Sequence, residues 1–154
     1  MNKIALSFLL AVCASAHADG VTLVTPVTYA AEASVVPKVR QECQLENRLE
    51  ADINAALANT TTPSGEALRV SILDVMGVGG GAWSGPKAIS LRVELMKDGK
   101  VERSTRLTRT TGGGAFAGFK GTCAILERDS AVLGKDVARW AGNESYTTGE
   151  DGRN

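Results

Sequence analysis

Three cysteines, one histidine and two echoed glycine-aromatic stretches carry most of the chemistry that this 154-residue chain could offer. The histidine is His17, just ahead of an expected cleavage point, so the processed chain would contain none. That excludes Ser-His-Asp and Cys-His catalysis, histidine proton shuttles and ordinary zinc sites together. No catalytic set and no metal site is therefore expected. Asp74, Glu94 and Glu102 could in principle serve a hydrolase that works through paired carboxylates. Nothing in their spacing pairs them, and on alternating strands they read as solvated positions.

The glycine stretches are Gly79-Gly80-Gly81-Ala82-Trp83-Ser84-Gly85 and Gly112-Gly113-Gly114-Ala115-Phe116-Ala117-Gly118. Each is a triple glycine, an alanine, an aromatic, a small residue and a glycine. One reading makes Gly81 and Gly114 parts of a flexible rim that presents Trp83, Phe116 and Phe119 to a partner or ligand. The plainer reading has the glycines permit tight crossings while the aromatics fold inward and cap the core. A phosphate cradle fits less well, although glycine N–H groups ahead of a helix can bind an anion. The second stretch matches G-x-G-x-x-A only loosely, and Lys120 follows Phe119 rather than the glycine of a Walker loop, so no nucleotide cofactor is expected.

The first residues set the compartment. Lys3, an apolar run from Ile4 to Val12 and the triplet Ala16-His17-Ala18 come in the order of a secretory signal peptide with its cleavage site. The reading is a signal peptide over residues 1–18 and a mature start at Asp19, with the protein in the periplasm or secreted. Cys13 is the alternative end of the leader, a lipid-anchor site, although Val12 is larger than the residue normally wanted there. Without Lys3 the mature chain has sixteen basic and seventeen acidic side chains, from the 17 of each in the full sequence. That balance is not the basic footprint of a nucleic-acid binder, and no membrane span is expected beyond the leader.

The elements that must position these residues follow from periodicity. Val21, Leu23 and Val27, around Pro26, read as a short edge strand. Leu45, Leu49, Ile53 and Leu57 recur every four residues and make an amphipathic helix ending at Asn59. Leu68, Val70 and Ile72 alternate, then the parity switches, which marks a bulge near Ile72. Ile89, Leu91, Val93 and Leu95 form the clearest strand, closed at Asp98-Gly99 by a hairpin. A three-residue Lys97-Asp98-Gly99 loop is preferred, because Val101 and Leu107 then share the apolar face. The returning strand is polar to about Thr111. A second helix carries Cys123, Leu126, Ser130, Leu133, Val137 and Trp140. The result is an α+β, two-layer sandwich over residues 19–142, ordered β-α-β-β-β-α, with a mostly antiparallel sheet and two helices on one face. A polar tail, residues 143–154, is expected to be disordered.

In that topology the two glycine loops and the starts of both helices gather at one end of the sheet. Cys43 and Cys123 fall in those helix starts, and in an exported protein a bond between them is the simplest expectation.

From Leu91 to Trp140 the alternating strand, the Asp98-Gly99-Lys100 turn, the Arg/Thr-rich strand, the second glycine stretch and the helix through Leu133, Lys135, Val137 and Ala138 resemble small exported bacterial proteins of unknown function, DUF4410-like. The resemblance implies an envelope-associated α/β domain and supplies no catalytic residues. The expected role is a non-enzymatic binding or assembly module of the cell envelope, contacting an envelope protein or small ligand through the glycine-loop end. The alternatives are a carboxylate-based periplasmic hydrolase and a lipid-anchored structural protein.

Overall fold

A strand whose odd residues are Ile89, Leu91, Val93 and Leu95 can bury one whole face, and around it the sheet assembles. The computed structural model describes residues 20–77, 83–112, 114–115, 121–143 and 145–146. In chain order the elements are β1 (Thr22–Leu23), β2 (Thr28–Val35), α1 (Pro37–Cys43), α2 (Leu45–Leu57), β3 (Ala67–Met76), β4 (Trp83–Ser84), β5 (Lys87–Lys97), β6 (Lys100–Thr111), β7 (Gly114–Ala115) and α3 (Thr122–Gly142). β1 and β2 run parallel to β3 along one edge, while β5 lies antiparallel to β3 and β6 antiparallel to β5. The helices pack on one face, so the architecture is the α+β sandwich expected. Leu45, Leu49 and Ile53 of α2 join Leu126, Leu133 and Val137 of α3 in one core with Leu68, Ile72, Ile89, Leu91 and Leu107 of the sheet.

Three local features differ from the sequence reading. The first helix is broken: Gln44 adopts φ 44 and ψ 48 between α1 and α2, a left-handed residue that turns the chain between two helical segments. The first strand is extended by β2, whose alanine-rich residues give no apolar alternation. The hairpin turn has two residues, Asp98 (φ 50) and Gly99 (φ 76), closing Lys97 against Lys100. Both central residues then have positive φ, as a type I′ turn requires. A bulge at Glu102 corrects the parity this turn would impose: Met96 faces Val101 but Leu95 faces Arg103, so Leu91 pairs with Leu107 and Ile89 with Arg109. Val101 is left 46% exposed rather than sharing the apolar face. The bulge read near Ile72 is present, as a register shift between Ile72 and Asp74.

The outer face of the sheet is polar and charge-paired, with Arg92 bonded to Glu32 at 2.7 Å and Arg69 to Glu94 at 3.3 Å. α2 and α3 approach closely at Gly134, where an added Cβ would lie 2.8 Å from the Asp52 carbonyl carbon. Ser130 of α3, fully buried, donates to Asp52 Oδ2 at 2.7 Å across the same contact. Arg103 stacks its guanidinium 4.4 Å above the Trp140 ring and donates to the Trp140 carbonyl at 2.8 Å, capping α3. At the start of the expected tail, Tyr146 packs on the core and donates to Asp136 Oδ1 at 3.1 Å; residues 147–154 lie outside the described residues.

Candidate functional site

The strands fix two poles. β2 and β3 end, β5 begins and β6 ends at one of them, and α1 and α3 start there. The expected gathering of elements at one end is thus the geometry of the chain. Cys43 closes α1, Cys123 is the second residue of α3, and the expected disulfide joins them with Cα atoms 5.0 Å apart across a separation of 80 residues.

At this pole β4 and β7 pair antiparallel, Trp83 opposite Ala115 and Ser84 opposite Gly114. Beyond the end of the Lys87–Thr111 ladder, Trp83-Ser84 and Gly114-Ala115 therefore run side by side as a short ribbon. The echo has a structural correlate, because the aromatic position of one copy faces the alanine that precedes the aromatic in the other. Of the candidate residues, Trp83 and Gly114 lie on this ribbon, while Gly81, Phe116 and Phe119 lie outside the described residues.

At the same pole is a groove of about 470 Å³ between α1 and the start of α3, lined by Val36, Val39, Cys43, Gly77, Gly121 and Cys123. Gly77 lets the walls come close, since a Cβ there would fall 2.7 Å from Val39 Cγ2 and force it to shift. Val36, just past β2, and Met76, the last residue of β3, are each 42% exposed at this pole.

The foot of the ribbon holds residues that periodicity alone did not single out. Lys87, 1% exposed, donates from Nζ to the Gly85 carbonyl at 3.1 Å. Its ladder partner Thr111 donates to Oδ1 of Asp129, itself 3% exposed in α3, at 2.5 Å. Asp129 Oδ2 and Arg109 Nε are buried without a hydrogen-bond partner among the described residues. Burial holds the Asp129 carboxyl above the usual carboxylate range, against the opposing pull of the Thr111 hydrogen bond and of the Arg109 and Arg128 charges. A signal for both residues exists in the sequence: Asp129 lies three residues after Leu126 and four before Leu133, on the apolar stripe, and Lys87 continues the parity of Ile89 and Leu91.

The carboxylates named from sequence are not brought together. Asp74 faces Ser90 on the outer side of the sheet, and Glu94 lies four residues further along β5, roughly 13 Å away at strand spacing. Glu94 is also ion-paired with Arg69. Glu102 sits at the opposite pole, where it lines a cavity of about 400 Å³ with Glu66 and Arg103.

No family model and no curated protein sequence matches the chain. Among solved structures it is similar to a Xanthomonas campestris protein of the DUF330 family, with a TM-score of 0.54, 14% identity, and coverage of 79% of this chain and 82% of that one. The likeness is one of fold. A PelC dodecamer from Paraburkholderia phytofirmans (TM-score 0.46, 17% identity, 79% and 90% covered) and a Caulobacter crescentus protein described as a putative lipoprotein (TM-score 0.45, 17% identity, 74% and 88% covered) are more distant in shape. No helix of the described residues is long and apolar enough to cross a membrane.

Proposed function

We propose that this chain is an exported, non-enzymatic binding or assembly module of the bacterial cell envelope, acting in the periplasm or outside the cell. We place it with the DUF4410-like proteins that its Leu91–Trp140 pattern resembles. Its contact surface is the ribbon pole, with Trp83, Phe116, Phe119, Gly81 and Gly114 meeting an envelope protein or a small ligand. The observation that carries this reading is the β4–β7 ladder, which pairs Trp83-Ser84 of one glycine-aromatic stretch with Gly114-Ala115 of the other at the end of the sheet. The Cys43–Cys123 bond supports the compartment, because disulfides persist where the surroundings are oxidising. A short paired ribbon beyond the Lys87–Thr111 ladder is well suited to contact, since the strands hold it while Gly114 lets a partner approach the backbone.

The test is site-specific photocrosslinking in cells that export the full chain, with the probe at Ser84 on the ribbon and, as control, at Ser64 near the far pole. A discrete adduct from Ser84 alone, lost in the Trp83→Ala, Phe116→Ala double variant, is the expected result. Equal adducts from both poles, or adducts untouched by the double variant, would remove the proposed surface.

The hydrolase alternative moves to the opposite pole, on one observation: Glu66 and Glu102 line the same cavity, and Glu66 Oε2 is buried without a partner among the described residues. Hydrolysis of a glycoside panel that is abolished by both Glu66→Gln and Glu102→Gln would favour it over the binding module.

A further inference from the structure

Two charged side chains, Lys87 and Asp129, are the buried charges of the described residues, and both stand where the strands leave the sheet for the ribbon. Their bonds divide the work. Asp129 of α3 holds Thr111, the last residue of β6, and Lys87, the first of β5, holds the carbonyl of Gly85, which follows β4 directly. The foot of the ribbon is therefore fixed to α3 through a carboxylate of which only one oxygen is hydrogen-bonded among the described residues. A buried acceptor left without a donor carries its desolvation cost, and a charged one carries more.

We propose that Asp129 is a proton-operated latch: its ionised form favours release of the ribbon foot from α3, and its protonated form keeps the foot closed. This rests on the ribbon being the contact surface and names how that surface is regulated. In the closed state the carboxylate is a pure acceptor whose Oδ2 has no hydrogen-bond donor among the described residues. Opening at Thr111 admits water to both oxygens and relieves the burial of charge. A proton on Oδ2 removes that charge while Oδ1 continues to accept from Thr111. The closed state thus binds the proton more tightly than the open state, and acidification shifts the population toward closure.

The surrounding charges do not cancel this response. Arg109 from β6 and Arg128 from α3 itself attract the carboxylate, but burial outweighs them. From β5, Lys87 is engaged with Gly85. On the α2 side Asp52 is bonded to Ser130 and paired with Arg48, and on α1 Lys38 pairs with Glu42.

Amide hydrogen exchange of the processed, oxidised protein across a pH series, corrected for the intrinsic pH dependence of exchange, tests the latch. Protection of the Thr111, Gly114 and Ala115 amides should rise on acidification, at most about tenfold per pH unit, the slope of one linked proton. Asp129→Asn keeps the shape and an acceptor for Thr111 while removing the titration, so its ribbon protection should be independent of pH. Thr111→Val should lower protection at every pH yet retain the pH dependence. Wild-type protection at these amides that does not change with pH, or a dependence that survives in Asp129→Asn, overturns the proposal. Should the asparagine variant not fold, the wild-type and Thr111→Val series decide by themselves. Absence of photocrosslinks at the ribbon would count against the contact reading alone and leave this exchange result standing.

Discussion

Gly134 shows how a single missing methyl group can set a packing distance. In an exposed helix interior, glycine to alanine would be expected to stabilise by up to about 1 kcal/mol. Here the new Cβ would lie 2.8 Å from the carbonyl carbon and 2.9 Å from the carbonyl oxygen of Asp52, backbone atoms of a packed helix that cannot step aside. Gly134→Ala should therefore destabilise by about 1–3 kcal/mol, the usual cost of overpacking, and lower the melting temperature by several degrees in a thermal scan. Tyr29 makes a second prediction at this scale. Burial first, then the negative charge of Glu46, pushes its phenol up to about 12, against the opposing charge of Arg40 stacked 4.3 Å over the ring. The folded chain holds that proton more tightly than the unfolded one, so the contribution is whole below pH 10.0 and is lost as pH climbs toward about 12. Phenolate absorbance should show Tyr29 ionising above the ordinary tyrosine range, and Tyr29→Phe should flatten that part of the stability profile.

Among the elements, α3 depends on a residue from the strand beside it. Its last carbonyls have no intrahelical donors, and Arg103 of β6 supplies one to Trp140 while stacking on the indole. Arg103→Met keeps the apolar stem but removes both interactions, and urea denaturation should find it about 1–2 kcal/mol less stable. Arg103→Lys should recover little, because the planar fork does both jobs at once. How far such elements could be read from the chain depended on whether burial followed polarity. β5 and the α2 and α3 stripes were plain, because Ile89, Leu91, Leu49, Ile53, Leu126 and Leu133 are apolar where they are buried. The turn at Asp98-Gly99 was also visible, yet the register was not, since the extra residue at Glu102 has no signature in residue type. β2 has no signature in the sequence beyond its start, because alanine and serine give no contrast between its faces. The candidate pole was legible as a topological consequence, and the disulfide with it. Lys87 and Asp129 were overlooked because a charge is ordinarily taken as a sign of solvent, although each sits in the period of its apolar neighbours.

For the molecule as a whole, the Cys43–Cys123 bond closes a loop of 80 residues that contains α2, β3, β5 and β6. On the chain-entropy estimate such a closure contributes about 4–5 kcal/mol. A Cys43→Ser, Cys123→Ser variant should lose stability of that order in denaturant titration, and reduction of the wild type should match it. Intact mass of the exported protein should correspond to a chain beginning at Asp19 and lighter by the two hydrogens of the bond; a lipid-sized increment on Cys13 would select the anchored alternative instead. The placement of the ends then has a mechanical consequence. The described chain begins at Gly20, next to Val21 whose N–H is held by Thr62 Oγ1 at 2.8 Å, and α3 finishes beside Thr61, both at the end of the sheet away from Trp83. Any tether attached ahead of Gly20 therefore grips the protein from behind, and the 11 residues of β5 act as a strut of roughly 36 Å that carries the ribbon away from that tether.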